Sequence, residues 1–418
     1  MKQQAFLWLL LGFLLPNLAY TQQDSALTFD YEQAQKRLIE QNLQIIANTY
    51  EIDIAQAQLT QAKLWTNPYL VWNQDLYSVE RNQYFNASNQ HLIQVEQTFS
   101  ISGKHVNSVK LAKMNVKMNR LVLDDIIRGL LMELAIEFSN LQILQRKNEL
   151  NQRIITQFEQ VIANAEQQVK SGYLAGNELT RLKTEYIEMQ TNALSLKIDM
   201  EKAMSQIRIL LAVPNNAPIR VVERPRPLTT NVSLNNLIEI SKEIRPDYLL
   251  KQQEINYQKQ NLKLQRSNAM PDIKLAYQPR DRGSNYVRPY TGFNFEMSLP
   301  VFNRNQGGIK EASAKVKQSE VSLQLFENEL RQQIMTAFNL FQLQKEGLSR
   351  YSDAFLAELE EMQNNAQLNY TRKSISLLEF IDLQRIYLQT QMQQIEIYGN
   401  YIQAINQLNF QVGRDIIE

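Results

Sequence analysis

Residues 105–168 contain no proline and one glycine, Gly129. Proline breaks a helix and glycine weakens one, so the run reads as a single helix. At about 1.5 Å per residue it is roughly 95 Å long. A compact globule has no need of such a rod; a tube or a stalk does. The chain has 418 residues but only 12 glycines and 11 prolines. Long unbroken helices therefore replace the two or three domains that its length alone suggests.

The chain is also written twice. "TNPYLVW" (66–72) aligns with "AMPDIKL" (269–275), "VEQTFSI" (95–101) with "FEMSLPV" (295–301), and "SGYLAGNELTRLK" (171–183) with "RKSISLLEFIDLQ" (372–384). Each half reads helix, two strands, very long helix, turn, helix. The first repeat is 22–212 and the second 234–418. They are joined by 213–233, "VPNNAPIRVVERPRPLTTNVS", whose prolines stop helix.

The strands announce themselves by alternation. Phe293, Phe295, Met297, Leu299 and Val301 alternate with Asn294, Glu296 and Ser298. Ile93, Val95, Phe99 and Ile101 alternate with Gln94, Glu96, Thr98 and Ser100, and Ile273, Leu275 and Tyr277 with Lys274, Ala276 and Gln278. A fourth strand is expected from Pro68 to about Ser78, its faces unassigned. Any one of these fits an ordinary half-buried sheet. Four together, each of roughly ten residues, fit a transmembrane barrel, with Glu96, Asn294 and Glu296 turned to the lumen. The helices carry heptad spacing: Ile309, Ala312, Val316, Leu323, Phe326, Leu330, Ala337 and Leu340, with Ser319 and Gln333 as polar members, and later Ile395, Tyr398, Ile402 and Ile405. Such stripes are coiled-coil seams, though a soluble bundle shares the period. A barrel in lipid tolerates no open strand edge, and barrels start near eight strands. Four strands therefore close only when several copies share one barrel.

Lys2 precedes an apolar run from Ala5 to Leu15, followed by Pro16 and Asn17. The run is too short to span a bilayer and has the shape of a secretory signal, expected over 1–21. No later stretch is apolar enough for a membrane helix. The chain has no cysteine, which excludes disulfides, thiolate metal sites and a cysteine nucleophile. A net charge of +1 gives no basic footprint for nucleic acid. His91 and His105 lie apart, and no Ser–His–Asp set, phosphate loop or paired metal ligands can be assembled. No catalysis and no cofactor are expected.

The doubled layout, the secretion signal and the tail "NYTRKSISLLEFIDLQRIYLQTQ" (369–391) resemble the TolC family of outer-membrane efflux proteins. The resemblance covers essentially the whole mature chain. It implies a mainly helical homotrimer with a small β part: long antiparallel coiled-coil helices form an α-barrel in the periplasm. Four strands per protomer contribute to a shared 12-stranded barrel in the outer membrane of a Gram-negative bacterium. The implied partners are a periplasmic adaptor and an inner-membrane pump of the resistance–nodulation–division class. "LPVFNRNQGGIKEA" (299–312), with "NPYL" (67–70) and "EQTFSISGKH" (96–105), is similar to the CzcC-type members that serve heavy-metal efflux. Read physically, it is an elbow from barrel to helix. Pro300 ends ladder bonding, Asn303 or Asn305 can cap the helix, and Gly307 with Gly308 allows close backbone approach. A drug or protein-secretion duct of the same fold is the alternative, and a coiled-coil adaptor or scaffold is the alternative in another class.

In "SISLLEFID" (374–382), Glu379 and Asp382 stand three residues apart, on one helix face. A solvated acid pair at a helix N-terminus is the bland explanation. The resemblance implies more: these positions match acids that ring the narrow periplasmic end of the channel, two stacked rings in a trimer. Converging carboxylates attract cations. By the same resemblance Tyr370 stands where the family has a gating tyrosine, and Glu178, beside Asn177, where the first half offers an acid. The family's arginine is replaced by Ile375, with Arg372 and Lys373 nearby but shifted.

Overall fold

The structure is a computed structural model that describes residues 27–79, 82–84, 91–213, 217–222, 233–281 and 288–417. The expected signal segment, 1–21, and much of the join at 213–233 fall outside the described residues. The first half contains β1 (Leu27–Phe29), α1 (Tyr31–Gln41), α2 (Leu43–Lys63), β2 (Tyr69–Gln74), a short pair β3 (Tyr77–Ser78) and β4 (Gln83–Tyr84), β5 (His91–Phe99), α3 (Lys104–Lys170) and α4 (Gly176–Leu210). Then come β6 (Ile219–Val221), α5 (Leu234–Ile244), α6 (Pro246–Asn268), β7 (Ile273–Asp281), β8 (Tyr290–Met297), α7 (Gln306–Ser349), α8 (Asp353–Thr371) and α9 (Leu377–Val412). The chain is thus mainly helical with a small antiparallel sheet. The long helix α3 has 67 residues, about 100 Å at about 1.5 Å each.

Four details depart from the sequence reading. Each half opens on two helices instead of one. Asn42 makes the first break: its Oδ1 accepts from the N–H groups of Gln44 and Ile45, and its amide donates to Leu210 O at 2.9 Å. Pro246 at the first position of α6 makes the second. The second-half long helix stops at Ser349 and restarts at Asp353, where Ser352 caps α8 through the Phe355 N–H at 3.2 Å. β8 ends at Met297, short of Val301. The join contains β6, which pairs in parallel with β1.

The α7 seam also drifts. Ala312, Ser319, Leu330 and Ala337 are buried as expected, but Gln333 and Leu340 are exposed while Ile334 and Phe341 are buried. A straight helix at 3.6 residues per turn gains about 20° per heptad on a 3.5-residue pattern. After three heptads the drift is about 60°, and the alternate seam positions pass from Gln333 and Leu340 to Ile334 and Phe341 while Leu330 and Ala337 stay buried.

The long helices stand in four columns. α3 packs against α2 and α4 on one side and against α6 and α9 on the other; α7 runs along α6 and α9, and α8 along α9. The order is α2 with α4, then α3, then α6 with α9, then α7 with α8. A partly buried ionic joint ties the halves together near the middle. Arg128 Nη2 contacts Asp125 Oδ1 at 2.6 Å and Asp247 Oδ2 at 2.9 Å, and its Nη1 donates to Phe410 O at 3.0 Å. Arg245, 3% exposed, pairs with Asp247 and donates from Nη1 to Gln411 O at 2.9 Å. The two arginines therefore satisfy carbonyls at the end of α9 that its own helix leaves open. Burial alone would raise the Asp247 pKa. Hydrogen bonds from Arg245 and Tyr248 N–H and the charges of Arg245 and Arg128 outweigh it, and the carboxyl is held below its ordinary range.

Candidate functional site

The sheet is a four-stranded antiparallel meander in the order β2–β5–β7–β8. Directly paired residues share a face, so the register fixes both surfaces. One face carries the rows Phe99–Ile273–Met297, Gln97–Leu275–Phe295, Leu70–Val95–Tyr277–Phe293, and Trp72–Ile93. This also assigns β2, whose sequence left its faces open: Leu70 and Trp72 join the apolar side. These side chains are not core. Leu70 is 72% exposed, Trp72 69% and Phe293 67%. The polar exception, Gln97, has its amide satisfied, donating to Thr66 O at 3.0 Å and Thr98 O at 3.1 Å.

The opposite face is polar. Glu96 pairs with Lys274 at 3.1 Å, Gln278 donates to Gln94 at 2.8 Å, and Asn294 Nδ2 donates to Glu296 Oε1 at 3.0 Å. Glu96, Asn294 and Glu296 thus share one face. The same alternation marked Lys274, which was not singled out as a partner because its ion pair crosses strands.

At the elbow after β8, neither asparagine caps the helix through its side chain. Asn305 occupies the N-cap position with φ 54°, but its amide donates sideways to Gln265 O in α6 at 2.8 Å. Asn303 Oδ1 instead accepts from Asn305 N at 3.0 Å and shapes the loop. The glycines differ. A Cβ on Gly308 would lie 2.4 Å from Asn305 Oδ1, whereas one on Gly307 would meet nothing within 4 Å. Only Gly308 serves close approach.

At the other end, α3 turns into α4 and α8 into α9 by the same loop. Gly172 and Lys373, at matching places in the repeat, both have positive φ, 76° and 62°. Tyr173 N–H bonds Gln168 O at 2.9 Å, and Ser374 N–H bonds Asn369 O at 2.8 Å. Ser376 caps α9, its Oγ accepting from Glu379 N at 3.2 Å. Leu377, Phe380 and Ile381 bury their side chains in the tip core, which leaves Glu379 and Asp382 exposed on the other side of α9. One turn on, Arg385 pairs with Glu185 of α4, and Lys373 Nζ lies 5.3 Å from the centre of the Tyr173 ring. These two contacts link the tips of the two hairpins. Sequence reasoning missed them because each joins residues about 200 apart.

Tyr370 stacks on Phe380 at 4.7 Å. Burial pushes its hydroxyl pKa up, helped by the charge of Glu178. Asn177 and Glu178 are exposed in the first turn of α4. A tyrosine–glutamate staple recurs in both hairpins at the same place in the repeat. Tyr186 donates to Glu159 at 2.8 Å and Tyr387 to Glu360 at 2.9 Å. Burial and that bond push the Tyr387 hydroxyl up to about 12. Among the described residues, no three or more metal-binding side chains come together within one chain.

No family model matches the chain, and no curated protein does. Solved structures match its architecture. CusC, described for folding and transmembrane channel formation, superposes with a TM-score of 0.73 at 16% identity, covering 92% of each chain. The open state of the MtrE outer membrane channel of Neisseria gonorrhoeae gives 0.71 at 13% identity, over 92% of this chain and 89% of that one. The CmeC outer membrane channel of Campylobacter jejuni gives 0.70 at 13% identity, over 92% and 85%. The mainly helical architecture with its small antiparallel sheet matches these channel structures over most of each chain, and the chain has their fold.

Proposed function

We propose that this chain is the outer-membrane exit duct of a tripartite efflux system, three copies forming one 12-stranded barrel and one helical tube. The observation that carries the reading is a mismatch between equivalent positions of the repeat. In α9, Leu388, Ile395 and Phe410 lie at least partly buried, and a Cβ on Gly399 would lie 2.1 Å from Ile143 Cδ1 of α3. The α4 residues at the same repeat positions are Ile187, Leu194, Ile209 and Ile198. They are apolar too, yet 61%, 60%, 68% and 50% exposed. Ile143 has its own counterpart, Leu343 of α7, 63% exposed.

Within one chain the first and second halves meet where α3 packs on α6 and α9. Among the described residues the same contact is unmade at both outer columns: α7 and α8 have no helix packed on their far side, nor have α2 and α4 on theirs. A second copy supplies it, head to tail. The sheet repeats the logic, since β5 pairs with β7 inside the chain, while among the described residues β2 and β8 are open edges, which lipid does not tolerate. A heterologous contact closes into a ring when its repeated rotation completes a full turn, and three copies are proposed to do so here. A free scaffold, by contrast, has no use for a sheet that exposes its apolar side.

In such a ring the polar face bearing Glu96, Asn294 and Glu296 lines the barrel. Glu379 and Asp382, exposed at the tip, converge on the axis as six carboxylates. Tyr370, Glu178 and Asn177 belong to the links that hold the end narrow. Heavy-metal cations are the proposed cargo; the elbow motif around Asn303 to Gly308 supports them over drugs or proteins. An adaptor and a resistance–nodulation–division pump supply the drive, and the periplasmic tip is their side. Deleting the gene in its host tests the cargo. Sensitivity to divalent metals, with unchanged tolerance of lipophilic drugs, is expected; the converse pattern overturns the metal assignment.

A further inference from the structure

We infer that the elbows beneath the sheet are themselves a membrane surface, seated in the periplasmic leaflet. The inference rests on the channel reading above. Six apolar side chains stand exposed in these connections: Trp65 at 64%, Ile101 at 58%, Met270 at 53%, Leu299 at 72%, Val301 at 58% and Phe302 at 93%. None belongs to a strand, and a solvated loop gains nothing from them.

The occupant follows from continuity and height. The apolar rows of the sheet end at Phe99, Ile273 and Met297, two or three residues from Ile101, Met270 and Leu299 in the chain. From Ile93 to Phe99 the described rows run about 20 Å along the strand, which at a tilt near 40° is about 15 Å of height. A barrel's apolar band is about 25 Å tall. Ile101 and Val301 stand two and four residues past the last row and extend the band by at least about 5 Å. Two polar groups at this level suit a bilayer boundary: Gln97 is satisfied by Thr66 and Thr98, and Lys104 pairs with Asp272 at 3.0 Å. Trp65, stacked on His105 at 4.5 Å, joins an apolar ring to a polar partner, as interfacial tryptophans do.

Tryptophan fluorescence tests it. With Trp8 and Trp72 replaced by Phe, Trp65 is the only tryptophan; with Trp8 and Trp65 replaced, Trp72 is. Each full-length variant is assembled in phosphatidylcholine vesicles whose acyl chains carry bromine either near the headgroup or at mid-chain. Trp65 should lose emission, more to the shallow bromine than to the deep one, and Trp72 should also be quenched. In the chain with no other tryptophan, the Phe302→Trp variant should behave like Trp65. Quenching of Trp72, with neither Trp65 nor the Phe302→Trp variant quenched, overturns the belt and leaves the channel reading standing. Loss of quenching at Trp72 overturns the channel reading itself, whatever Trp65 does.

Discussion

Lysine placed at two adjacent positions of β8 should have opposite consequences. Phe293 lies in the row Leu70–Val95–Tyr277–Phe293, with one apolar row beyond it and two between it and the elbow. Rows are about 7 Å apart along the strand, hence about 5 Å apart in height at a barrel tilt. The side chain is therefore about 5 Å from one end of the described band and about 10 Å from the other. A lysine there faces hydrocarbon and costs about 2–4 kcal/mol near the midplane. With three copies sharing one barrel, as proposed, the assembly loses about 6–12 kcal/mol if the sites add. Asn294 points the other way and already donates to Glu296 at 3.0 Å. Asn294→Lys keeps a donor beside that carboxylate and should change stability by less than about 1 kcal/mol. Asn294→Asp is a poorer control, because it sets two carboxylates together. The assay is urea-dependent folding into phospholipid vesicles, read by protease protection and by recovery of the assembled form. Equal losses for Phe293→Lys and Asn294→Lys would refute the facing of the sheet.

Other consequences can be checked separately. Leu194→Asp or Leu343→Asp should abolish assembly while leaving the helical content and solubility of the single chain unchanged, since each removes about 1.5–3 kcal/mol of burial that only a neighbour provides; sedimentation and circular dichroism report the two effects. Asp247→Asn should destabilise the chain by about 3–5 kcal/mol, because Arg245 is left buried without its partner. The wild-type carboxyl is depressed in the folded state, so its contribution is complete above the ordinary aspartate pKa of 3.8 and fades as pH falls through the lower folded value; acid unfolding of the variant should lose that component. In a planar bilayer, Glu379→Ala with Asp382→Ala should remove block by divalent cations and reduce cation preference, with assembly unaffected; wild-type block in the double variant would put these acids on an outer face. Arg385→Ala, which frees Glu185 and removes one of the two links between the hairpins, should raise conductance without removing the block.

The architecture was legible wherever a pattern is local and repeated. Alternation marked the strands to within a few residues, and the proline-free run marked α3. Both recur in the second half, and each copy supports the other. What stayed hidden depends on partners distant in the chain. Asn42 breaks α1 from α2 partly by reaching Leu210, and nothing beside it in sequence announces that bond. Ser349 to Asp353 interrupts the second long helix without proline or glycine. The seam in α7 follows the turn of a real helix instead of an integral heptad, so Gln333 and Leu340 were misassigned while Ile334 and Phe341 went unnoticed. At the candidate tip, the acids and Tyr370 were visible through resemblance. The links Arg385 to Glu185 and Lys373 to Tyr173 became visible only once the two hairpins stood side by side.

Every part of the proposed function depends on copies completing one another's edges. The mass of the particle extracted from outer-membrane fractions in mild detergent decides this. Three chains in one particle, resistant to dissociation until the sheet unfolds, is the predicted result. A particle holding a single chain, recovered intact from the membrane, would leave β2, β8 and the stripe at Leu194 and Ile198 without a partner and would contradict the proposal.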